Sequence, residues 1–169
     1  MSQESGWVSL LQQRLFENKF SYKVVNASIS GDTTAGGLSR IKNALNFAQP
    51  TLTIIELGAN DGLRGLSLSE MKKNLDSMID MAKTYHSKVL LIGINLPPNY
   101  GPKYTSDFSS TFHELADIHN IPLVPSLLDG FEDDPDAFQA DQIHPNSTAQ
   151  TKILDNVWTD IKALLTNGE

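Results

Sequence analysis

The sequence predicts an α/β fold, a parallel sheet covered by helices, because two kinds of segment alternate along it. Residues 52–57 and 89–94 have the nearly continuous hydrophobicity of strands that are buried on both faces. Between such segments, apolar residues recur every three or four positions, as on one face of an amphipathic helix. Alternating strands and helices of this kind form parallel sheets with helices on both faces. The length of 169 residues suits one such domain, spanning residues 1–169.

The first predicted elements are a helix, a strand and a second helix. Trp7, Leu11 and Leu15 lie on one helical face, and Ser5 is a candidate N-cap for that helix. Residues 22–27 predict a strand. The second helix is indicated by apolar residues at helical spacing and is closed by a proline: Leu38, Ile41, Leu45 and Pro50.

The later elements repeat the alternation of strand and helix. Ser67 and Glu70 fit a capping box for the helix that follows the strand at residues 52–57. We expect the next helix to end near Asn120, and Asn146 can cap the last helix. The four predicted strands therefore span residues 22–27, 52–57, 89–94 and 121–124.

Composition excludes several classes of partner. The net charge of −7 and the sequence pI of about 5.0 argue against nucleic acid as the main partner. No apolar segment approaches the length of a transmembrane helix, so we expect no stable membrane insertion. The absence of cysteine excludes disulfides and a cysteine nucleophile. The sequence leaves the oligomeric state open.

Three loops that follow predicted strands carry the polar residues of interest. They span residues 28–37, 58–65 and 125–145. Ligands of parallel sheets bind at the carboxyl ends of the strands, where these loops lie. We therefore expect the three loops to converge on one site. The sequence contains no P-loop, no dinucleotide-binding glycine fingerprint and no Gly-x-Ser-x-Gly motif.

Asp141 and His144 form the most informative pair in these loops. They lie three residues apart and ahead of the last helix, so one short loop could present both side chains. An imidazole beside an ionised carboxylate is held in one tautomer and is a better base. The alternative interpretation is a polar turn that only starts a helix.

Gly31 and Asn60 are candidate donors to a developing oxyanion. The N–H of Gly31 is unobstructed by a side chain, and Asn60 carries a side-chain amide. Each also has a simpler interpretation. Gly31 could only make its loop flexible, and Asn60 with Asp61 could only form a turn before Gly62.

A metal-dependent site is a further alternative. Its carboxylate and imidazole ligands would be Asp32, Asp61, Asp141 and His144, but their spacing matches no metal signature. We therefore expect neither a metal nor another cofactor. The remaining histidines lie at or near predicted helix ends and are expected at the surface: His86, His113 and His119.

These segments together resemble the SGNH (GDSL-type) hydrolases, most closely the bacterial arylesterase, acyl-CoA thioesterase I and lysophospholipase L1 group. That family contributes Ser, Gly, Asn and His from four separated blocks. Residues 26–33, Asn-Ala-Ser-Ile-Ser-Gly-Asp-Thr, resemble the glycine block, and residues 56–65, Glu-Leu-Gly-Ala-Asn-Asp-Gly-Leu-Arg-Gly, resemble the asparagine block. Residues 141–146 resemble the Asp-x-x-His block, and residues 96–101 resemble a loop on the substrate side.

The resemblance implies a three-layer α/β/α, flavodoxin-like fold and a serine esterase or thioesterase. It implies that His144 is the base, that Asp141 orients it, and that Gly31 and Asn60 stabilise the oxyanion. The substrate implied is a small-molecule acyl ester or thioester, including lysophospholipids. Relatives of this group are often exported, so the resemblance also implies a periplasmic location.

The family's first block, a strand that ends in Gly-Asp-Ser, is absent from the sequence. We therefore expect that Met1 is internal to a longer protein and that the fold lacks its first, interior strand. In the family that strand lies between those matching residues 22–27 and 52–57. Neither Ser2 nor Ser5 lies on a strand–turn–helix elbow that could replace the nucleophile. The alternative function is a catalytically inactive remnant or a binding module.

Overall fold

The computed structural model describes residues 6–141 and 143–166, which fall in two compact units. One unit comprises Met1–Asn26 and Leu127–Thr159, and the other comprises Ala27–Ser126 and Asp160–Glu169. The sheet and most of the helices belong to the second unit. The expectation of one domain over residues 1–169 stays a prediction.

Helices and strands alternate along the chain as the sequence predicts, except near its beginning and in the predicted loop at residues 58–65, which contains a short helix. The helices are α1 (Trp7–Glu17), α2 (Thr34–Ala48), α3 (Ala59–Leu63), α4 (Leu68–Thr84), α5 (Pro102–His119) and α6 (Ala149–Thr166). The strands are β1 (Leu52–Glu56), β2 (Lys88–Ile92) and β3 (Leu123–Val124). Single 3-10 turns occur at Pro98–Tyr100 and Pro135–Ala137. None of the helices within the described residues is long and apolar enough to cross a membrane.

The three strands form one parallel sheet in the order β1-β2-β3. β1 pairs with β2 from Leu52 opposite Lys88 to Glu56 opposite Ile92, and Leu91 of β2 lies opposite Leu123 of β3. Four of the five β2 residues are buried, as expected for a central strand with apolar side chains on both faces. The predicted α/β class with a parallel sheet is confirmed.

The apolar faces of α2, α4 and α5 pack with the sheet to form the core of the second unit. Met71, Leu75 and Phe108 are fully buried, and the rings of Phe108 and Phe112 meet edge to face at 5.3 Å. Burying a side chain of this size stabilises the fold by about 1.5–3 kcal/mol.

Several predicted helix boundaries are confirmed. Ser67 Oγ accepts the Glu70 N–H at 3.3 Å and caps α4. Asn120 adopts the left-handed conformation (φ 48°) and ends α5. Asn146 Oδ1 accepts the N–H of Ala149, the first residue of α6, at 3.1 Å. The N-cap of α1 is Gly6, and the candidate Ser5 lies outside the described residues.

The predicted strand at residues 22–27 is wrong, because this segment is irregular in the structure. Its backbone bonds instead to a helix side chain. Gln12 Nε2 donates to the Tyr22 carbonyl at 3.1 Å, and Gln12 Oε1 accepts the Val24 N–H at 2.7 Å. A strand requires a neighbouring strand for its N–H and C=O groups. Among the described residues, no strand lies beside this segment.

The prediction that His119 is a surface residue is also wrong. Its side chain is only 8% exposed, with Nε2 at 2.7 Å from Asp76 Oδ1 and Nδ1 at 3.5 Å from Asp80 Oδ1. The two aspartates lie one turn apart on α4, so the imidazole links α4 to the end of α5. His86 and His113 are exposed, as predicted.

Candidate functional site

Asp141 and His144 form a direct pair in the loop before α6. Asp141 Oδ2 lies 2.8 Å from His144 Nδ1. The other carboxylate oxygen, Oδ1, accepts the backbone N–H groups of Ile143 and His144, both at 3.0 Å. The spacing of three residues lets the carboxylate satisfy these two amides and still reach the ring. One short turn therefore positions the acid and the imidazole together.

This pairing determines the tautomer of His144. An ionised carboxylate only accepts hydrogen bonds, so Nδ1 carries the proton when the ring is neutral. The lone pair then lies on Nε2, which is the atom that a general base uses. The His144 side chain is 66% exposed, so Nε2 is accessible.

The carboxyl of Asp141 is held in its ionised form. The side-chain hydrogen bond from His144 makes the largest contribution, and the N–H groups of His144 and Ile143 add to it. Together they hold the pKa of the Asp141 carboxyl well below its usual value. The partner of the imidazole therefore remains an anion in mildly acidic solution.

The backbone on both sides of this pair is fixed by a narrow antiparallel contact. Phe138 and Pro145 form an isolated β-bridge. The Gln139 N–H donates to the His144 carbonyl at 2.8 Å, and the Asn146 N–H donates to the Ala137 carbonyl at 2.8 Å. The loop is therefore closed at its base immediately next to the pair of Asp141 and His144.

Gly31 lies in a tight turn ahead of α2, in the other unit. The Asp32 N–H donates to the Ile29 carbonyl at 3.2 Å, and Gly31 has a φ of 77°. A positive φ at the third position of such a turn favours glycine. The Gly31 carbonyl accepts from Arg64 Nη2 at 2.9 Å, which attaches this turn to the loop after α3.

Asn60 lies in α3, one turn of helix directly after β1. Gly58 caps this helix with a φ of 116°, and a Cβ there would lie 3.1 Å from Phe112 Cζ. A Cβ on Gly62 would lie 2.6 Å from Phe108 Cε2. Glycines at these two positions let α3 pack closely on the core. Over residues 6–141 and 143–166, the Asn60 side-chain amide has no hydrogen-bond partner, so its N–H groups are available to a ligand.

Asp61 links α3, which carries Asn60, to the first residue of α2, which follows the turn at Gly31. The sequence did not predict this role. Its side chain is buried, with the residue 3% exposed. Oδ2 accepts the Thr34 N–H at 2.9 Å and Oδ1 accepts the Thr34 hydroxyl at 2.6 Å. Asn74 Nδ2 in turn donates to Thr34 Oγ1 at 3.1 Å. The pairing of residues 27 positions apart carries no local sequence signal.

The loop at residues 96–101 and the first turn of α5 each support the end of α3 through one tyrosine. Tyr100 donates to the Leu63 carbonyl at 2.9 Å, and Tyr104 of α5 donates to the Gly62 carbonyl at 3.1 Å. The two rings stack at 6.3 Å. Burial, with smaller contributions from Tyr100 and Asp61, raises the pKa of Tyr104, so the Tyr104 hydroxyl stays a protonated donor at neutral pH.

The structure thus assembles the predicted residues as two pairs. Asp141 and His144 form one hydrogen-bonded pair in the first unit. Gly31 and Asn60 lie in the second unit, in segments joined by hydrogen bonds from Arg64 and to Asp61. Their catalytic roles stay predictions. Ser2 and Ser5 lie outside the described residues.

The carboxylates of the metal-site alternative have other partners. Asp32 pairs with Arg40 at 2.8 Å, and Asp61 binds Thr34. Across the described part of the chain, no three His, Cys, Asp or Glu side chains cluster in a way that could hold a metal ion. The structure therefore offers no support for the metal-site interpretation.

A family model and two relatives with known names all match this chain over most of its length. A model of the GDSL-like lipase/acylhydrolase family matches residues 2–152. "Esterase TesA" of Pseudomonas aeruginosa is 49% identical over 160 residues, which are 95% of this chain and 80% of that protein. "Thioesterase 1/protease 1/lysophospholipase L1" of Escherichia coli K12 is 39% identical over 155 residues, which are 92% of this chain and 73% of that protein.

A solved structure shows the same similarity in three dimensions. The crystal structure of TesA superimposes with a TM-score of 0.94 at 48% identity. The match covers 97% of this chain and 91% of that one.

Proposed function

Because the chain belongs to the GDSL-like lipase/acylhydrolase family and its relatives are named as esterases and thioesterases, we propose hydrolysis of acyl esters and acyl-thioesters through an acyl-enzyme. The observation that carries the proposal is the contact of 2.8 Å between Asp141 Oδ2 and His144 Nδ1 beside an exposed imidazole. The nucleophile would be the serine of a Gly-Asp-Ser segment, which the 169 residues do not contain. The proposal therefore concerns the protein in which such a segment precedes residue 1.

The first half of the reaction transfers the acyl group to the serine. His144 Nε2 takes the hydroxyl proton while the serine oxygen bonds to the carbonyl carbon of the substrate. Asp141 holds the ring in position and stabilises its protonated form. The tetrahedral intermediate then breaks its bond to the alcohol or thiol, and that leaving group takes the proton from His144.

Gly31 and Asn60 stabilise the charge that develops on the carbonyl oxygen in this step. The backbone N–H of Gly31 and the side-chain amide of Asn60 are the donors. One donor of this kind contributes about 3 kcal/mol to transition-state stabilisation. Asp61 and Arg64 contribute through their hydrogen bonds, which join α3 to the segment that contains Gly31 and Thr34.

The second half of the reaction releases the acid. His144 Nε2 removes a proton from water as the water oxygen attacks the acyl-serine, and the proton then returns to the serine oxygen. This cycle consumes one water and needs no cofactor. We therefore expect activity to be unchanged by EDTA, whereas a metal-dependent hydrolase would lose activity.

The substrate class is a small-molecule ester or thioester. One relative is named as an esterase and another as a thioesterase and lysophospholipase, which favours acyl groups on several kinds of leaving group. A periplasmic location is part of the proposal, on family resemblance alone. Cell fractionation tests that location, and a cytoplasmic location would contradict it.

The function is tested by p-nitrophenyl butyrate turnover together with labelling by a fluorophosphonate. The 169-residue chain and a form extended by its upstream coding sequence are compared. Turnover with an adduct on a Gly-Asp-Ser serine supports the proposal. An adduct on Ser2 or Ser5 would place the nucleophile elsewhere. Absence of turnover and adduct in both forms would favour the non-catalytic alternative.

A further inference from the structure

Gln150, the second residue of α6, has an almost completely buried side chain, with the residue 4% exposed. Its amide oxygen and nitrogen face different segments. Oε1 accepts the backbone N–H of Trp7 at 2.9 Å. Nε2 donates to the carbonyls of Pro145 and Asn146 at 3.5 and 3.4 Å. One side chain therefore connects two segments that are distant in sequence, both within the first unit.

The first of these contacts satisfies the start of α1. The first N–H groups of a helix have no acceptor within the helix, and Gly6 has no side chain to provide one. Trp7 is the first residue of α1 and is buried. The Gln150 oxygen takes the place of a local cap and fixes where α1 begins.

The second contact reaches the backbone directly after His144. Pro145 follows His144 in the chain, and its carbonyl also accepts from Gln139 Nε2 at 3.2 Å. Two glutamine side chains, one from each side of the loop, therefore bind the same carbonyl. Since that carbonyl belongs to the residue bonded to His144, holding it limits how far the imidazole can shift.

We propose that Gln150 is a positioning residue that fixes the loop bearing Asp141 and His144 to the start of α1. It touches no reacting atom and acts through the backbone of Pro145 and Asn146. The catalytic consequence rests on the proposed function, because only there does His144 act as a base. The structural consequence does not depend on that function and is measurable by itself.

Because Gln150 is buried, its hydrogen bonds to Trp7, Pro145 and Asn146 are hard to replace. Water cannot easily reach the Gln150 site, so removal of the amide leaves the Trp7 N–H and the Pro145 carbonyl with fewer partners. A displacement of about 1 Å at a catalytic group can cost on the order of 100-fold in rate. The effect of losing Gln150 should therefore appear at His144 as well as in overall stability.

Three variants distinguish the loss of the hydrogen bond to Trp7, the loss of those to Pro145 and Asn146, and general destabilisation. Gln150→Leu removes both the acceptor and the donor. Gln150→Glu keeps an acceptor for Trp7 but loses the donor to Pro145 and Asn146. Asn156→Ala is the matched control, because Asn156 also lies on α6 and its amide donates to two loop carbonyls, those of Leu127 and Asp129.

The first measurement is NMR on the 169-residue chain, with hydrogen exchange of the Trp7 amide and the ring signals of His144. Gln150→Leu should speed Trp7 exchange by about 10-fold or more and shift the His144 signals. Gln150→Glu should shift the His144 signals alone, and Asn156→Ala should change neither. Unchanged His144 signals in both Gln150 variants, or equal changes in Asn156→Ala, would overturn the proposal.

The second measurement is ester turnover in the form that shows activity. Gln150→Glu should lower kcat by about 10- to 100-fold and leave KM within about twofold, while Asn156→Ala leaves both close to wild type. A wild-type-like kcat in Gln150→Glu would overturn the positioning role. Absence of turnover in the unmodified protein would instead count against the proposed function, and the NMR comparison still decides the role of Gln150.

Discussion

At the scale of single residues, the Asp141 carboxylate controls which form of His144 is present. It accepts two backbone N–H groups with one oxygen and the imidazole with the other. This pair was predictable from its spacing together with its position ahead of the last helix, because three residues are enough for a side chain to reach back to the turn it begins. The role of Asp61 was not predictable, since it depends on Thr34, which only folding brings near.

Asp141→Asn tests the orienting role of this carboxylate. An amide can point its NH₂ group at Nδ1, which favours the wrong tautomer and removes the negative charge beside the ring. We expect kcat for p-nitrophenyl butyrate to fall by about 10³- to 10⁴-fold in the active form. Asp133→Asn, an exposed aspartate in the preceding loop, is the matched control and should keep wild-type activity. A similar kcat in both variants would refute the assignment.

The lowered pKa of Asp141 gives a prediction about pH. Because the folded-state pKa lies below the unfolded value near 4, the hydrogen bonds of this carboxylate are fully present above pH 4. They are lost only as the pH falls through the folded-state pKa. The carboxyl carbon of Asp141 should therefore show no protonation step of its own between pH 7 and about 3 in NMR titrations. In His144→Ala, which removes the largest cause, the same carbon should titrate at a higher pH.

At the scale of elements, the helices and the central strands were predictable and one strand was not. The helical spacing of apolar residues and the caps at Ser67 and Asn120 are local signals, so α4 and α5 appear where expected. A strand depends on more than its local sequence, because its backbone groups must pair with a neighbouring strand. Residues 22–27 have a strand-like sequence, but their backbone groups bond to Gln12 because no strand lies beside them among the described residues.

The two hydrogen bonds from Thr34 of α2 to the Asp61 carboxylate of α3 can be tested by substitution. Asp61→Ala leaves the Thr34 N–H and hydroxyl without their acceptor in a buried place, which should lower the free energy of unfolding by about 1–3 kcal/mol. Hydrogen exchange of the Thr34 amide should speed up accordingly. The control is Asp117→Ala, which changes an exposed side chain on α5. If exchange of the Thr34 amide stays slow in Asp61→Ala, the Asp61 carboxylate does not hold α2 to α3.

At the scale of the whole molecule, β1 has a neighbouring strand on one side only within the part of the chain that the structure describes. Among the described residues, β2 is the only strand that pairs with β1. An unpaired strand edge is a template for another chain, and such edges favour self-association. The net charge of −7 opposes that association by mutual repulsion. The balance between these two effects should therefore depend on salt.

We expect the 169-residue chain to associate through the outer edge of β1. In sedimentation experiments, its weight-average mass should exceed the 18.6 kDa of one chain and rise with protein concentration and with added salt, which screens the repulsion. Ile54→Lys places a charge in the middle of β1, outside the buried core, and should reduce association. Ile118→Lys adds the same charge on α5, where Ile118 is 65% exposed, and should have the smaller effect. A cooperative thermal unfolding transition from a monomer would contradict this prediction, because it would mean that the β1 edge is stable without a partner.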